Sequence, residues 1–185
     1  MTSPLTSQDL ITDLQSAVTV QDYTGTTMIA GVKIVELKTL IDDGGYFLEL
    51  QRWTKQAMTD FPEFSLQQMN YSEMDPGVIK AWHLHYQQED IWFVPPSDKL
   101  LVCLRDCRTQ SPTAGQLLRL VAGAGKAKLI YIPRGVAHGA ANLWKQPAAI
   151  IYFVNNQFTP QPDVTDEHRL PWDQFGTSVW ELTRG

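Results

Sequence analysis

The chain has 185 residues, 43% of them hydrophobic, and a net charge of −5, which suits one globular domain with a full core. It has no basic block, which argues against nucleic acid as a main partner, and no apolar run nears the roughly 18 residues of a membrane span. Met1–Asp9 lacks a signal-peptide pattern, and Cys103 and Cys107 would lie about 13 Å apart on one strand, too far for a disulfide, so reduced thiols and a cytoplasmic protein are expected.

Residues 1–27 read as an appendage and 28–185 as the domain. Ser7 caps a short helix carrying Leu10, Ile11 and Leu14 at helical spacing, ended by Asp22-Tyr23-Thr24-Gly25. From Met28 the pattern becomes extended. Val32–Leu37 reads as a strand, Asp42-Asp43-Gly44-Gly45 as a turn and Tyr46–Leu50 as a second strand. Gln51–Phe61 reads as a short helix or loop stopped by Pro62, and Ser65–Tyr71 as extended. Strands follow over Val78–Gln87, Asp90–Val94, Lys99–Leu104, Gln116–Val121, Lys128–Ile132 and Ala148–Asn155. Short strands between Pro, Gly, Asp and Asn turns predict an all-β sandwich or barrel. Gly123-Ala124-Gly125-Lys126 lacks the spacing and following helix of a phosphate loop. The tail from Gln161 turns aromatic at Trp172, Phe175 and Trp180, and is expected to cover the barrel or a partner subunit.

Two of the four histidines, His83 and His85, stand two residues apart. On a strand they share a face, with Ile79 and Ala81 beside them. His138 follows the Pro133-Arg134-Gly135 turn, and Tyr152 lies on a late strand. The predicted inward cluster is His83, His85, Glu89, His138 and Tyr152. A histidine is the natural general base near neutral pH, and a tyrosine is a weak acid able to return a proton from the other side. Three imidazoles and a carboxylate equally suit a divalent metal.

Gly77-x5-His83-x-His85-x3-Glu89 and Pro133-x-Gly135-x2-His138-x3-Asn142 resemble the two cupin motifs. That resemblance implies a jelly roll (double-stranded β-helix) in which His83, His85, Glu89 and His138 bind metal. A narrower resemblance runs from about Ile29 to Trp180. It is carried by Ile34-Val35-Glu36, Asp42-Asp43-Gly44-Gly45-Tyr46-Phe47, Gln68-x-Asn70-x-Ser72, Gly77–His83, Ser111-Pro112-Thr113-Ala114-Gly115, Ile132–Gly139, Tyr152 and Leu170-Pro171-Trp172-Asp173. In order and spacing these resemble the dTDP-4-dehydrorhamnose 3,5-epimerase family, a metal-free cupin branch.

This second resemblance implies an isomerase and a homodimer without cofactor. The substrate would be a nucleotide-linked 4-keto-6-deoxy sugar, epimerised at C3, C5 or both in deoxysugar biosynthesis. His83 would be the base and Tyr152 the acid. Gln68, Asn70, His85, His138 and Phe158 would line the substrate site, and Lys80 would face the diphosphate. Strict alternation puts Lys80 opposite His83, so that role needs a bulge or bend. Phe158 stands at the family's second active-site tyrosine, and Gly44 and Lys80 replace arginines. The active-site lysine has no counterpart, Ile91 being nearest. Asp90, Asp163 and Asp173 are the candidates to orient the base. Leu84-His85-Tyr86-Gln87 offers a second register with His85 as base, but the Gly-x5-His spacing favours His83. A metal-dependent cupin enzyme and a non-catalytic sugar-binding cupin are the alternatives.

Overall fold

The computed structural model describes residues 4–20, 28–161 and 164–183. Its strands are β1 (Lys33–Glu36), β2 (Thr39–Asp42), β3 (Gly45–Leu48), β4 (Trp53–Thr54), β5 (Ala57–Met58), β6 (Gln68–Met74) and β7 (Ile79–Leu84). They continue as β8 (Asp90–Phe93), β9 (Lys99–Asp106), β10 (Leu117–Gly123), β11 (Lys128–Ile132), β12 (Val136–Ala141), β13 (Ala148–Val154) and β14 (His168–Arg169). One sheet runs β1-β11-β8-β13-β6 and a second β10-β9-β12-β7-β14. Every pairing within them is antiparallel. This is the jelly-roll architecture expected of the sequence.

Two-residue alternation sends each strand's side chains into separate cores. Leu100, Val102 and Leu104 of β9 meet Trp92, Ile130 and Ile150 of the opposite sheet in the central core. Ile91, Phe93, Leu129 and Phe153 point the other way, under Met58, Phe61 and Phe64. Leu101, Cys103 and Trp82 face the C-terminal tail, where Val179 and Trp180 bury them. The aromatic tail therefore covers the barrel of its own chain. Trp180 packs 4.7 Å from Trp82 between ring centres, and both indole N–H groups donate to the Trp172 carbonyl. Removing a buried tryptophan of this kind typically costs about 3–5 kcal/mol.

Several local expectations change. The first turn is a 3₁₀ helix, Ser7–Asp9, preceded by Thr6 as its cap rather than started by Ser7. The Asp9 carboxylate accepts both the Thr6 amide and hydroxyl there. The α-helix is only Thr12–Gln15, and no residue from 4 to 20 is buried. The expected stop at Asp22–Gly25 lies outside the described residues. Gln51–Phe61 contains the β4–β5 hairpin instead of a helix. Its turn residues Lys55 and Gln56 take φ of 52° and 68°, a conformation that glycine or asparagine usually announces. β12, after the Pro133-Arg134-Gly135 turn, is not among the expected strands. Among the described residues no helix is long and apolar enough to cross a membrane.

Candidate active site

The inward faces are apolar through the middle of the sandwich and turn polar at one end, around a cavity of about 330 Å³. β6 supplies Gln68, Asn70 and Ser72, the half-buried residues of an alternating edge strand. β13 adds Tyr152, β7 Lys80 and His83, β8 Asp90, and β12 His138.

Lys80 and His83 line the same cavity because β7 does not alternate strictly. Its register against β12 shifts between the His138–His83 and Ala140–Lys80 pairs. Ile79 and Ala81, expected beside the histidines, instead pack with Trp82 toward the tail. The required bulge is therefore present. Gly139 makes it possible: a Cβ there would collide with Ala81 and the Lys80 carbonyl. Lys80 Nζ donates to Ser72 Oγ and the Glu73 carbonyl, each at 2.8 Å, and stays exposed.

His83 sits at the cavity rim, its side chain 21% exposed, with Nδ1 3.6 Å from Glu167 Oε2. Arg169 Nη1 lies 2.9 Å from His83 Nε2. Arginine only donates, so Nε2 accepts and Nδ1 carries the hydrogen toward Glu167. The His83 contact, reinforced by His85 and Arg169, holds the Glu167 carboxyl below its usual range against the opposing effect of burial. Glu167 is thus an ionised partner for the imidazole. Of the predicted orienting aspartates, Asp90 lies beside His138 rather than His83, Asp173 is not among the cavity-lining residues, and Asp163 lies outside the described residues.

The floor is dry. His85, Asp90 and His138 are each no more than 3% exposed. His85 Nδ1 donates to the Asp166 carbonyl at 2.7 Å and His138 Nδ1 to the Val136 carbonyl at 3.0 Å, since a carbonyl only accepts. Both Nε2 atoms therefore face the floor. Gln88 Nε2 lies 3.4 Å from that of His85 and donates to Asp90 Oδ1 at 2.9 Å. Asp90 Oδ2 accepts the Trp92 indole and lies 3.6 Å from His138 Nε2. Burial raises the Asp90 carboxyl's pKa. Burial, together with His85 and His83, pushes His138 well below the usual imidazole value and keeps it neutral.

His85, Asp90 and His138 offer ligand atoms within 4.8 Å of one another. Their chemistry, two imidazole nitrogens and a carboxylate, fits a divalent transition metal. The expected four-ligand set is not assembled. Glu89 turns out of the cavity to Asn155, whose amide donates to it at 3.2 Å, and His83 points to Glu167. Parity decides this: Asp90 and Trp92 face the cavity from β8, so Glu89 falls outside that row.

Tyr152 projects into the cavity across from His83's sheet, opposite Trp92 and Asn70 in register. Burial, then Glu167 and Asp90, raises its pKa and keeps the phenol protonated. Gln68 Nε2 donates to Asn70 Oδ1, and its Oε1 accepts the Phe158 amide. Phe158 lies at the mouth, 59% exposed.

Sequence reasoning missed Asp166, Glu167 and Arg169. Asp166 accepts the amides of Tyr86, Gln87 and Gln88 on its carboxylate, fixing the turn after β7. Arg169 pairs directly opposite His83 across β14 and β7. The only signal was a charged Asp166-Glu167-His168-Arg169 run ahead of an aromatic segment.

A jelly roll with an imidazole–carboxylate pair and a protonated tyrosine around one sugar-sized cavity has the makings of a cupin-fold acid–base enzyme. A family model for dTDP-4-dehydrorhamnose 3,5-epimerase matches residues 26–178. The spore coat polysaccharide biosynthesis protein SpsL of Bacillus subtilis is 40% identical over 146 residues, 79% of this chain and 91% of that protein. The structure of a dTDP sugar isomerase from Desulfovibrio desulfuricans superposes with a TM-score of 0.67 at 26% identity, covering 84% of this chain and 91% of that one. A Legionella pneumophila dTDP-6-deoxy-D-glucose-3,5-epimerase, solved in complex with dTDP-4-keto-L-rhamnose, superposes with a TM-score of 0.61 at 26% identity over 73% and 72% of the two chains. The chain belongs to the dTDP-4-dehydrorhamnose 3,5-epimerase family and is an isomerase.

Proposed function

We propose that the protein epimerises a dTDP-linked 4-keto-6-deoxy sugar beside its ketone, at C3, C5 or both, with His83 as base and Tyr152 as acid. The observation that carries this reading is the His83–Glu167 contact at 3.6 Å, in the cavity that also holds Tyr152. Glu167 fixes the tautomer, so Nε2 carries the lone pair that takes the proton. The ketone acidifies the neighbouring C–H because its electron pair spreads into an enolate, and no cofactor is needed. Tyr152 returns a proton to the opposite face, which inverts the centre. Gln68, Asn70, Phe158, His85 and His138 contact the substrate, and Lys80 receives the diphosphate.

Solvent deuterium uptake and ring stereochemistry test this together. The wild type should exchange deuterium into a dTDP-4-keto-6-deoxyhexose and invert it. In Tyr152→Phe the base still removes the proton and returns it to the same face, so exchange should outlast inversion. Wild-type protein that binds the sugar nucleotide without exchange is a sugar-binding cupin, and the enzymatic reading fails.

The floor supports a second reading. His85, Asp90 and His138 would hold a divalent metal, with both imidazoles braced by backbone carbonyls. Such an ion would polarise the ketone. Elemental analysis separates the two readings: stoichiometric metal whose removal abolishes exchange reverses the order. We further propose a cytoplasmic homodimer. Light scattering that gives a monomer at micromolar concentration rejects the dimer.

A further inference from the structure

His138, His83 and Arg169 form one row across three neighbouring strands, β12, β7 and β14. The middle member is the proposed base. Its Nε2 lone pair accepts a hydrogen from Arg169 at 2.9 Å. A lone pair engaged by a guanidinium cannot take a proton from carbon. Arg169 must therefore leave Nε2 before the chemistry begins.

The reaction itself supplies a destination. As the C–H bond next to the ketone breaks, its electron pair moves into a C=C bond and negative charge collects on the carbonyl oxygen. Apart from histidines, two cations line the cavity among the described residues, Lys80 and Arg169. Lys80 is drawn toward β6 by Ser72 and Glu73. Arg169 stands against the base, and among the described residues its guanidinium hydrogen-bonds only to His83. Its five N–H donors on a long, exposed side chain can reach an oxygen one bond from the carbon that His83 deprotonates.

We propose that Arg169 caps the base until a keto sugar binds and then moves onto its ketone oxygen, freeing His83 and holding the enolate. This rests on His83 being the base. His83 Nε2 takes the proton from carbon, and the guanidinium pairs with the enolate oxygen. Tyr152 O–H then protonates the opposite face. Solvent resets the resulting imidazolium and phenolate, so no oxidant or reductant is required. Ketone binding and base exposure become one event, and a sugar nucleotide without the ketone leaves the base capped.

The test compares Arg169→Gln and Arg169→Lys with wild type, using dTDP-4-keto-L-rhamnose and, as a ligand without a ketone, dTDP-glucose. Arg169→Gln should lower deuterium exchange by about 10²- to 10³-fold, the usual loss for one oxyanion donor, and Arg169→Lys should recover part of it. Affinity for dTDP-glucose should stay within about twofold, while the keto ligand weakens more. In wild type, the ¹⁵N resonance of His83 Nε2 should move on adding the keto ligand and stay put with dTDP-glucose. Exchange in Arg169→Gln within about threefold of an active wild type overturns the inference and leaves His83 as the base. Equal weakening toward both ligands also overturns it, making Arg169 a diphosphate ligand. A wild type that exchanges no deuterium removes the base assignment, and this inference with it.

Discussion

The rim and the floor of the cavity use the same side chain for opposite ends. His83 and His138 stack 5.7 Å apart with nearly parallel rings. His83 is partly exposed, between a carboxylate and a guanidinium. His138 is buried, with its Nδ1–H fixed on backbone. An imidazole that cycles protons needs water access and a charged partner to steady its cation. One that must stay neutral needs burial. Environment, rather than residue type, divides the labour.

The most disruptive change to this contrast should be His83→Ala. Loss of a general base typically costs about 10²- to 10⁴-fold, and both deuterium exchange and epimerisation should fall together. Glu167→Gln keeps the shape and removes the charge, so it should lower exchange in the same direction with nucleotide affinity unchanged. If His85→Ala abolishes exchange and His83→Ala does not, the base belongs to the floor and the contrast is reversed.

Asp166 joins the two regions. Its carbonyl braces His85, its carboxylate holds the turn after β7, and it precedes Glu167. Burial works against ionisation, but the amides of Gln88, Gln87 and Tyr86 outweigh it and lower the carboxyl below 3.8. A depressed folded pKa means that the unfolded chain binds the proton first as pH falls. The stabilisation should therefore be complete above pH 3.8 and disappear as pH drops through the lower, folded value. Hydrogen bonds to a charged group are worth about 1.5–3 kcal/mol. Asp166→Asn should cost up to that amount at neutral pH and flatten this part of the acid limb, read from urea midpoints between about pH 7 and 3.

The smallest effect should come from outside both regions. Because residues 4–20 bury no side chain, we propose that residues 1–27 are an appendage to the domain 28–185. Starting the chain at Met28 should change stability by no more than about 0.5 kcal/mol. A trimmed protein that cannot fold makes the appendage part of the core or of the dimer.

Much of this was legible in the chain. Short strands between Gly and Pro turns predicted an all-β sandwich or barrel, and the resemblance to the cupin motifs narrowed this to a jelly roll. The His83-x-His85 and Pro133-x-Gly135-x2-His138 spacings marked the cavity, and the family resemblance pointed to Gln68 and Asn70, which share one face of an edge strand by simple alternation. These are local properties, set by a two-residue period and by turn chemistry. Three features were not local. The bulge in β7 brings Lys80 to the side of His83, and it depends on a close approach to Gly139 more than fifty residues away. Strand parity in β8 chose Asp90 over Glu89 for the floor. Glu167 and Arg169 reach His83 only because the tail is anchored by Trp180 against Trp82 and pairs with β7. No periodicity links residues so far apart in sequence. Packing of the folded chain brings them together, and that packing decided which partners the histidine received.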